Sequence, residues 1–220
     1  MLYPLWTAKP GSGCSTISLA LAARLAAKRD LDVLVVDLDG DLTAAAGVAP
    51  RHDGVTDWLA AGSVGSDALH RLAVELRPRL SLLPVGSSHA WPDDRAETLV
   101  RALHADPRLV VVDVSTVTPQ ALSSMQRLRH RLAADDPSLL VTRSCYLAVR
   151  RAQALPIRPT GVVLVREGGR TFDRHLIAEA LGAPVVAQID HDPAVARAVD
   201  DGKLVRRPPR PLSRQVEAMV

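Results

Sequence analysis

The sequence is poor in lysine, in aromatic residues and in cysteine, and each shortage narrows the possibilities. Among 27 basic residues only Lys9, Lys28 and Lys203 are lysine, the rest being arginine. Aromatics make up 3% of the chain, so a core must be built from Leu, Val, Ala and Ile. The two cysteines, Cys14 and Cys145, form no CxxC pair, and no Cys/His group has zinc-ligand spacing. A disulfide scaffold and a zinc module are thereby excluded. No uncharged apolar run approaches the ~20 residues of a bilayer span. Met1–Trp6 lacks both the basic start and the length of a secretory signal. A reducing, cytoplasmic setting is therefore expected.

What is present points to one large α/β domain over residues 1–220. Hydrophobic residues make up 47% of the 220, enough for a sizeable core. Net charge is +3 with a pI near 9.2, a mild excess that permits nucleic-acid or anionic-membrane contact without requiring it. The arginine excess reads as the imprint of a GC-rich genome.

Short apolar runs alternate with helical patterns along the whole chain. The runs are Leu2–Trp6, Val33–Asp37, Leu80–Pro84, Leu109–Asp113, Leu139–Thr142, Gly161–Val165 and Val185–Ile189. Val33–Val36 and Leu109–Val112 are continuous rather than alternating, the mark of strands buried on both faces. Helices are expected over Ser15–Lys28, Asp93–His104, Pro119–Leu132, Tyr146–Leu155, Thr171–Leu181 and Pro193–Val199. This order predicts a doubly wound, mostly parallel sheet of about seven strands with helices on both faces. Residues 206–220 read as a Pro/Arg connector followed by a short terminal helix.

The first strand runs into Lys9-Pro10-Gly11-Ser12-Gly13-Cys14-Ser15-Thr16, and a helix follows. A glycine-rich turn between strand and helix aims backbone N–H groups at one centre, and the helix N-terminus adds roughly half a positive charge. Such a cradle suits phosphate. The common pattern GxxxxGK[ST] is not met, because Ala8 stands at the first glycine position and Cys14 at the lysine.

The loop instead resembles the variant KGGxGK[ST][ST] of the MinD/ParA group of P-loop ATPases. Other segments carry the same resemblance in order: Val36–Thr43 is similar to its D-x-D stretch, Gly54–Gly62 to "GLSDLLAG", and Leu80–Gly86 to "LDVLPAG". Val110–Asp113 is similar to the Walker B strand, and Ala183–Val195 to "vPVlgvIPyDpaV". The resemblance implies ATP and Mg²⁺ as ligands. Lys9 falls on the signature lysine that reaches across a nucleotide-sandwich dimer. Gly11, Ser12, Gly13, Cys14, Ser15 and Thr16 fall on the nucleotide loop. Ser15, Asp37 and Asp113 fall on the metal shell, and Asp39 on the carboxylate that positions the attacking water.

Three departures weaken the ATP-specific set. Cys14 removes the charge that would contact the β- and γ-phosphates; one charge pair near 4 Å contributes about 4 kcal/mol at an effective dielectric near 20. Val165 replaces the asparagine that reads adenine in relatives, and Asp113-Val114-Ser115 replaces Asp-Thr-Pro. A pseudo-ATPase or very slow ATPase is expected, of the kind found in the CpaE/TadZ branch. It would act as a homodimer with a protein partner in septum, pilus or chromosome positioning. The rival expectation is a working ATPase using Lys9 as its phosphate lysine. An amidoligase-like enzyme has no substrate signature to support it.

Other features have plain readings. Cys14 at a helix start could have a lowered thiol pKa and serve as a redox sensor, but the preferred reading is a small residue that fits where a long one was lost. Cys145 reads as packing, since two isolated cysteines do not reproduce the cluster ligands of the nitrogenase iron protein. His191 and Asp192 fall where relatives approach the base. Arg127, Arg129, His130 and Arg131, then Arg150 and Arg151, then Arg206, Arg207, Arg210 and Arg214, form basic groups. They admit non-specific DNA contact, with solvated faces as the default. Leu212, Val216, Met219 and Val220 have helical spacing, and docking onto the domain is expected rather than membrane insertion.

Overall fold

The computed structural model describes residues 1–28, 31–62 and 65–219. In chain order the elements are β1 (Leu2–Thr7), α1 (Cys14–Lys28), β2 (Val33–Asp37), α2 (Asp41–Ala45), α3 (Val55–Ala60) and α4 (Ser66–Arg71). Then come β3 (Val74–Arg77), β4 (Leu80–Leu83), α5 (Asp94–Ala105), β5 (Leu109–Thr116), α6 (Ser124–Ala133) and β6 (Leu139–Arg143). The chain closes with α7 (Tyr146–Gln153), β7 (Gly161–Arg166), α8 (Arg174–Leu181), β8 (Val185–Asp190), α9 (Pro193–Asp200) and α10 (Arg210–Val216), followed by a 3₁₀ turn over Glu217–Met219.

The strands form one eight-stranded sheet in the order β3-β4-β2-β5-β1-β6-β7-β8. Every pairing is parallel except β3 with β4. The doubly wound fold is thus as expected, with one strand more than the seven read from sequence. The extra strand, Val-Glu-Leu-Arg, is short, carries two charges and sits at the edge. A four-residue edge strand has no continuous apolar run to announce it.

Burial on both faces accounts for the continuous runs. Leu34 and Val36 of β2 and Val110, Val112 and Val114 of β5 join one core cluster, with Trp6, Leu99 and Leu128. Val33 and Val35, with Leu109 and Val111, join the other, under α1. Alternate side chains of a strand point to opposite faces, so both cores are filled from the same run.

Helix α1 is rich in Ala and Leu, which are good helix formers and small enough to lie close to the sheet. Most of its residues are buried, and its outer side is covered by α10. Leu212, Val216 and Met219 are buried there, so the terminal segment docks as expected; Val220 lies outside the described residues. Glu217 closes the contact, accepting from Arg24 at 2.8 Å and from the Lys28 ammonium.

Two expected helices start late. Residues 119–123 are not helical, and α6 begins after Ser123, whose hydroxyl accepts from the Gln126 N–H at 3.1 Å. Likewise α8 begins after Asp173, whose carboxylate accepts from the N–H groups of His175 and Leu176. In both cases an N-cap side chain sets the start, ahead of the apolar period.

Strand β1 lies at the point where the order reverses, with β5 on one side and β6 on the other. Loops leaving the carboxyl ends of these strands therefore diverge and leave a crevice above β1.

Candidate functional site

The crevice is floored by the loop between β1 and α1. Gly11 and Gly13 adopt φ of 75° and 92°, a left-handed conformation that disfavours any side chain. The loop is braced from within: the hydroxyls of Ser12 and Thr7 donate to the Lys9 carbonyl at 2.7 and 3.1 Å. The first helical bond runs from Ile17 N–H to the Gly13 carbonyl at 2.9 Å. A cleft of about 370 Å³ opens over Pro10–Thr16, walled by Asp39 and Asp41 after β2, by Ser115 and Thr116 at the end of β5, and by Arg143 at the end of β6. The sequence-predicted loop residues Gly11, Ser12, Gly13, Cys14, Ser15 and Thr16 are all brought together there, with Asp39.

The metal-shell positions lie lower. Asp113 is fully buried in β5, next to a bulge where Ser115 takes φ of 61°. One carboxylate oxygen accepts from the Ser115 N–H at 3.2 Å, while the other has no hydrogen-bond partner among the described residues. Burial pushes the Asp113 pKa up to about 7; the Ser15 hydroxyl beside it eases the shift, and the Asp37 and Asp39 charges add to it. Ser15 and Asp113 are thus brought together.

Asp37 does other work. One oxygen accepts from Asp39 and Gly40 N–H groups at 2.9 and 2.7 Å, and the other from Thr43 N–H and hydroxyl at 3.4 Å. It staples the loop after β2. Burial still raises its pKa despite these bonds. No group of three or more His, Cys, Asp or Glu among the described residues is arranged to hold a metal ion.

Cys14 keeps its plain reading as a small packing residue, and only the suggestion of a lowered thiol pKa is corrected. Its side chain is buried, and burial first, then the Asp113 charge, pushes its thiol well above the usual range. The helix N-terminus does not overcome that, so the residue is a neutral S–H and a poor candidate for a redox sensor. Lys9 is half-buried, lies outside the lining of the cleft, and its ammonium has no partner among the described residues.

Beside the cleft lies an apolar cavity of about 260 Å³ between α1, the ends of β7 and β8, and α9. Val165 lines it with Ile17, Ile189, Val195 and Val199. His191 and Asp192 also face it, and Asp192 caps α9 through the Ala194 N–H at 2.8 Å.

Sequence reasoning placed Arg129 in a solvated basic group, and the structure does not. Arg129 is buried, and its guanidinium donates to the Leu38 carbonyl at 2.6 Å, the Asp39 carboxylate at 2.7 Å and the Thr116 carbonyl at 3.2 Å. It ties the loop after β2 to the end of β5 and neutralises Asp39. Its place on the Leu128–Leu132 side of α6 was the available signal. Arg127 and Arg131 pair with Asp93 and Glu97, so this basic group is largely cancelled. Arg150, Arg151, Arg206, Arg207, Arg210 and Arg214 remain exposed.

Comparison with known proteins bears on this geometry. Residues 6–205 match the profile of the CobQ/CobB/MinD/ParA nucleotide binding domain. The chain belongs to that family. No curated protein sequence matches this MinD/ParA-type chain. Solved structures share its fold: a ParA family ATPase from Chlorobium tepidum superposes with TM-score 0.78 at 21% identity, covering 100% of this chain and 97% of that one. The septum site-determining protein MinD from Pyrococcus horikoshii, complexed with Mg-ADP, gives 0.77 at 18%, covering 99% and 93%. MinD in a MinC:MinD cell division complex from Aquifex aeolicus gives 0.78 at 18%, covering 99% and 93%. Among the described residues, no helix of this MinD/ParA-type domain is long and apolar enough to cross a membrane.

Proposed function

We propose that this chain is a MinD/ParA-like positioning or scaffold protein with a degenerate ATP site. It acts in the cytoplasm by forming a homodimer and binding a protein partner of a septum, pilus or chromosome positioning system. The observation that carries the reading is the neutral, buried Cys14 thiol at the centre of an otherwise complete phosphate cradle. The glycine loop fits an anion, and Ser15 beside the orphaned Asp113 oxygen fits a magnesium shell. The charge that phosphoryl transfer demands at its transition state is missing from the loop. Around it stand four carboxylates, Asp37, Asp39, Asp41 and Asp113, of which Asp39 is committed to Arg129 and Asp37 to its own loop. The site is thereby suited to holding phosphate weakly and not to cleaving it.

A second reading is a slow ATPase whose dimerisation follows nucleotide, favoured by the Lys9 ammonium, which has no partner among the described residues. Titration with ATP and magnesium, with phosphate release measured in parallel, separates the two. Weak binding and no turnover are expected of the wild type, with Cys14→Lys tightening ATP by tens-fold. Brisk turnover by the wild type would establish the second reading.

A further inference from the structure

Arg143 ends β6, and its position at the junction of two cavities gives it a role that its sequence context does not announce. It lines the loop cleft with Ser12 and Gly13, and it lines the neighbouring apolar cavity with Val165 and Ile189. Among the described residues lining the loop cleft it alone is basic; Asp39 and Asp41 are acidic and the rest are neutral. The guanidinium is anchored without being used up. Its Nη1 donates to Glu167, while its Nε is shielded from solvent and has no partner among the described residues. Glu167 is shared with Arg170, at 2.9 Å from Nε and 2.7 Å from Nη2. Two guanidiniums on one carboxylate leave a net positive charge at this end of the cleft. Hydrogen bonding from Arg170, then the Arg143 charge, holds Glu167 below the usual carboxylate range, so the anchor stays ionised.

The sheet order fixes which part of a ligand Arg143 meets. The loop after β2, with Asp39 and Asp41, lies on one side of β1, and β6 and β7 lie on the other, against the apolar cavity. The cavity is also lined by Asp190, which pairs with Arg166, by Asp192, which caps α9, and by Asp200. A nucleoside seated there and a phosphate chain on the loop amides would pass the guanidinium first and Asp39 and Asp41 last.

We propose that Arg143 is the phosphate-contacting cation of this site, acting from its nucleoside end, and that the site is matched to a nucleoside diphosphate rather than a triphosphate. This rests on the reading of the loop as a nucleotide cradle. A planar fork is well shaped to grip phosphate oxygens in pairs. A third phosphate would extend past the Arg129-paired Asp39 toward the Asp41 carboxylate, with no loop lysine to offset the repulsion.

Calorimetric titration of the full chain with ADP, ATP and adenosine, with and without magnesium, tests this. The wild type should bind ADP at least as tightly as ATP. Arg143→Ala should weaken ADP by roughly 10- to 100-fold, the loss expected for a charge-assisted bond. Adenosine binding and the melting temperature should barely move, and Arg143→Lys should recover part of the loss. Arg143→Gln, which keeps the bulk without the charge, is read by the same criteria if the alanine variant is unstable. ADP affinity within twofold of wild type in Arg143→Gln overturns the inference, as does a tenfold preference for ATP. A wild type that binds no nucleotide also overturns it while leaving the degenerate-site reading intact. ATP turnover would end that reading instead, and the Arg143 variants would still decide this one.

Discussion

A thiol enclosed at the start of α1 and facing the Asp113 carboxylate is held in its protonated form, and that has a chemical signature. Cys14 is buried and its pKa is raised, first by burial. Cys145 is half-buried. Because the thiolate is the reacting species, alkylation by iodoacetamide at neutral pH should mark Cys145 well before Cys14. Peptide mass spectrometry after brief labelling reads the order, and early labelling of Cys14 would contradict the proposed neutral cradle. The residues that define the loop were legible from sequence because spacing alone places them: Gly11, Gly13, Ser15 and Thr16 all line or shape the cleft. The state of Cys14 was not legible, since a helix N-terminus favours the thiolate and burial opposes it. Only packing shows that burial wins.

At the scale of elements, one side chain holds two strand ends together. Arg129 spans the Leu38 carbonyl, the Asp39 carboxylate and the Thr116 carbonyl, joining the loops that follow β2 and β5. Arg129→Ala removes the guanidinium from the Leu38 carbonyl and the Asp39 carboxylate, while the Thr116 carbonyl keeps the Gln126 amide, and should cost about 2 kcal/mol. For a chain of this length that lowers the melting temperature by roughly 4–8 °C. Arg129→Lys should recover little, because one ammonium cannot reproduce the fork. A thermal scan of both variants checks this. The long elements followed from apolar periodicity, but this tie did not, because an arginine in an Arg-rich helix reads as solvated until its face is known. The helix starts at Ser124 and Arg174 were misplaced for a related reason: Ser123 and Asp173 are strong caps, and a local cap overrules a longer apolar pattern. Strand β3 and helices α2, α3 and α4 are too short for any period to register.

Over the whole molecule, the parallel order that makes the crevice also sets the fate of the last helix. Glu217 pairs with Arg24 and Lys28 on α1, and these bonds, Lys28 first, lower its pKa to about 2 from an ordinary value of 4.5. A depressed carboxyl pKa gives stability that is full above the unfolded value and is lost as pH falls through the folded one. The α10 clasp should therefore hold at pH 5 and loosen between about pH 4.5 and 2. The protection of α10 amides, taken relative to intrinsic exchange at each pH, should fall over that window, and Glu217→Gln should show the low protection already at pH 5. Protection that stays constant across this range would remove the clasp from the account.

The profile of the family stops at Val205, whereas the apolar cover of α1 continues through Met219. A fragment trimmed to the shared boundary would leave a stripe of leucine and alanine on α1 facing water, on the very helix whose first turn cups the anion. For anyone preparing this domain, the last fourteen described residues are part of the fold's roof and not a dispensable tail.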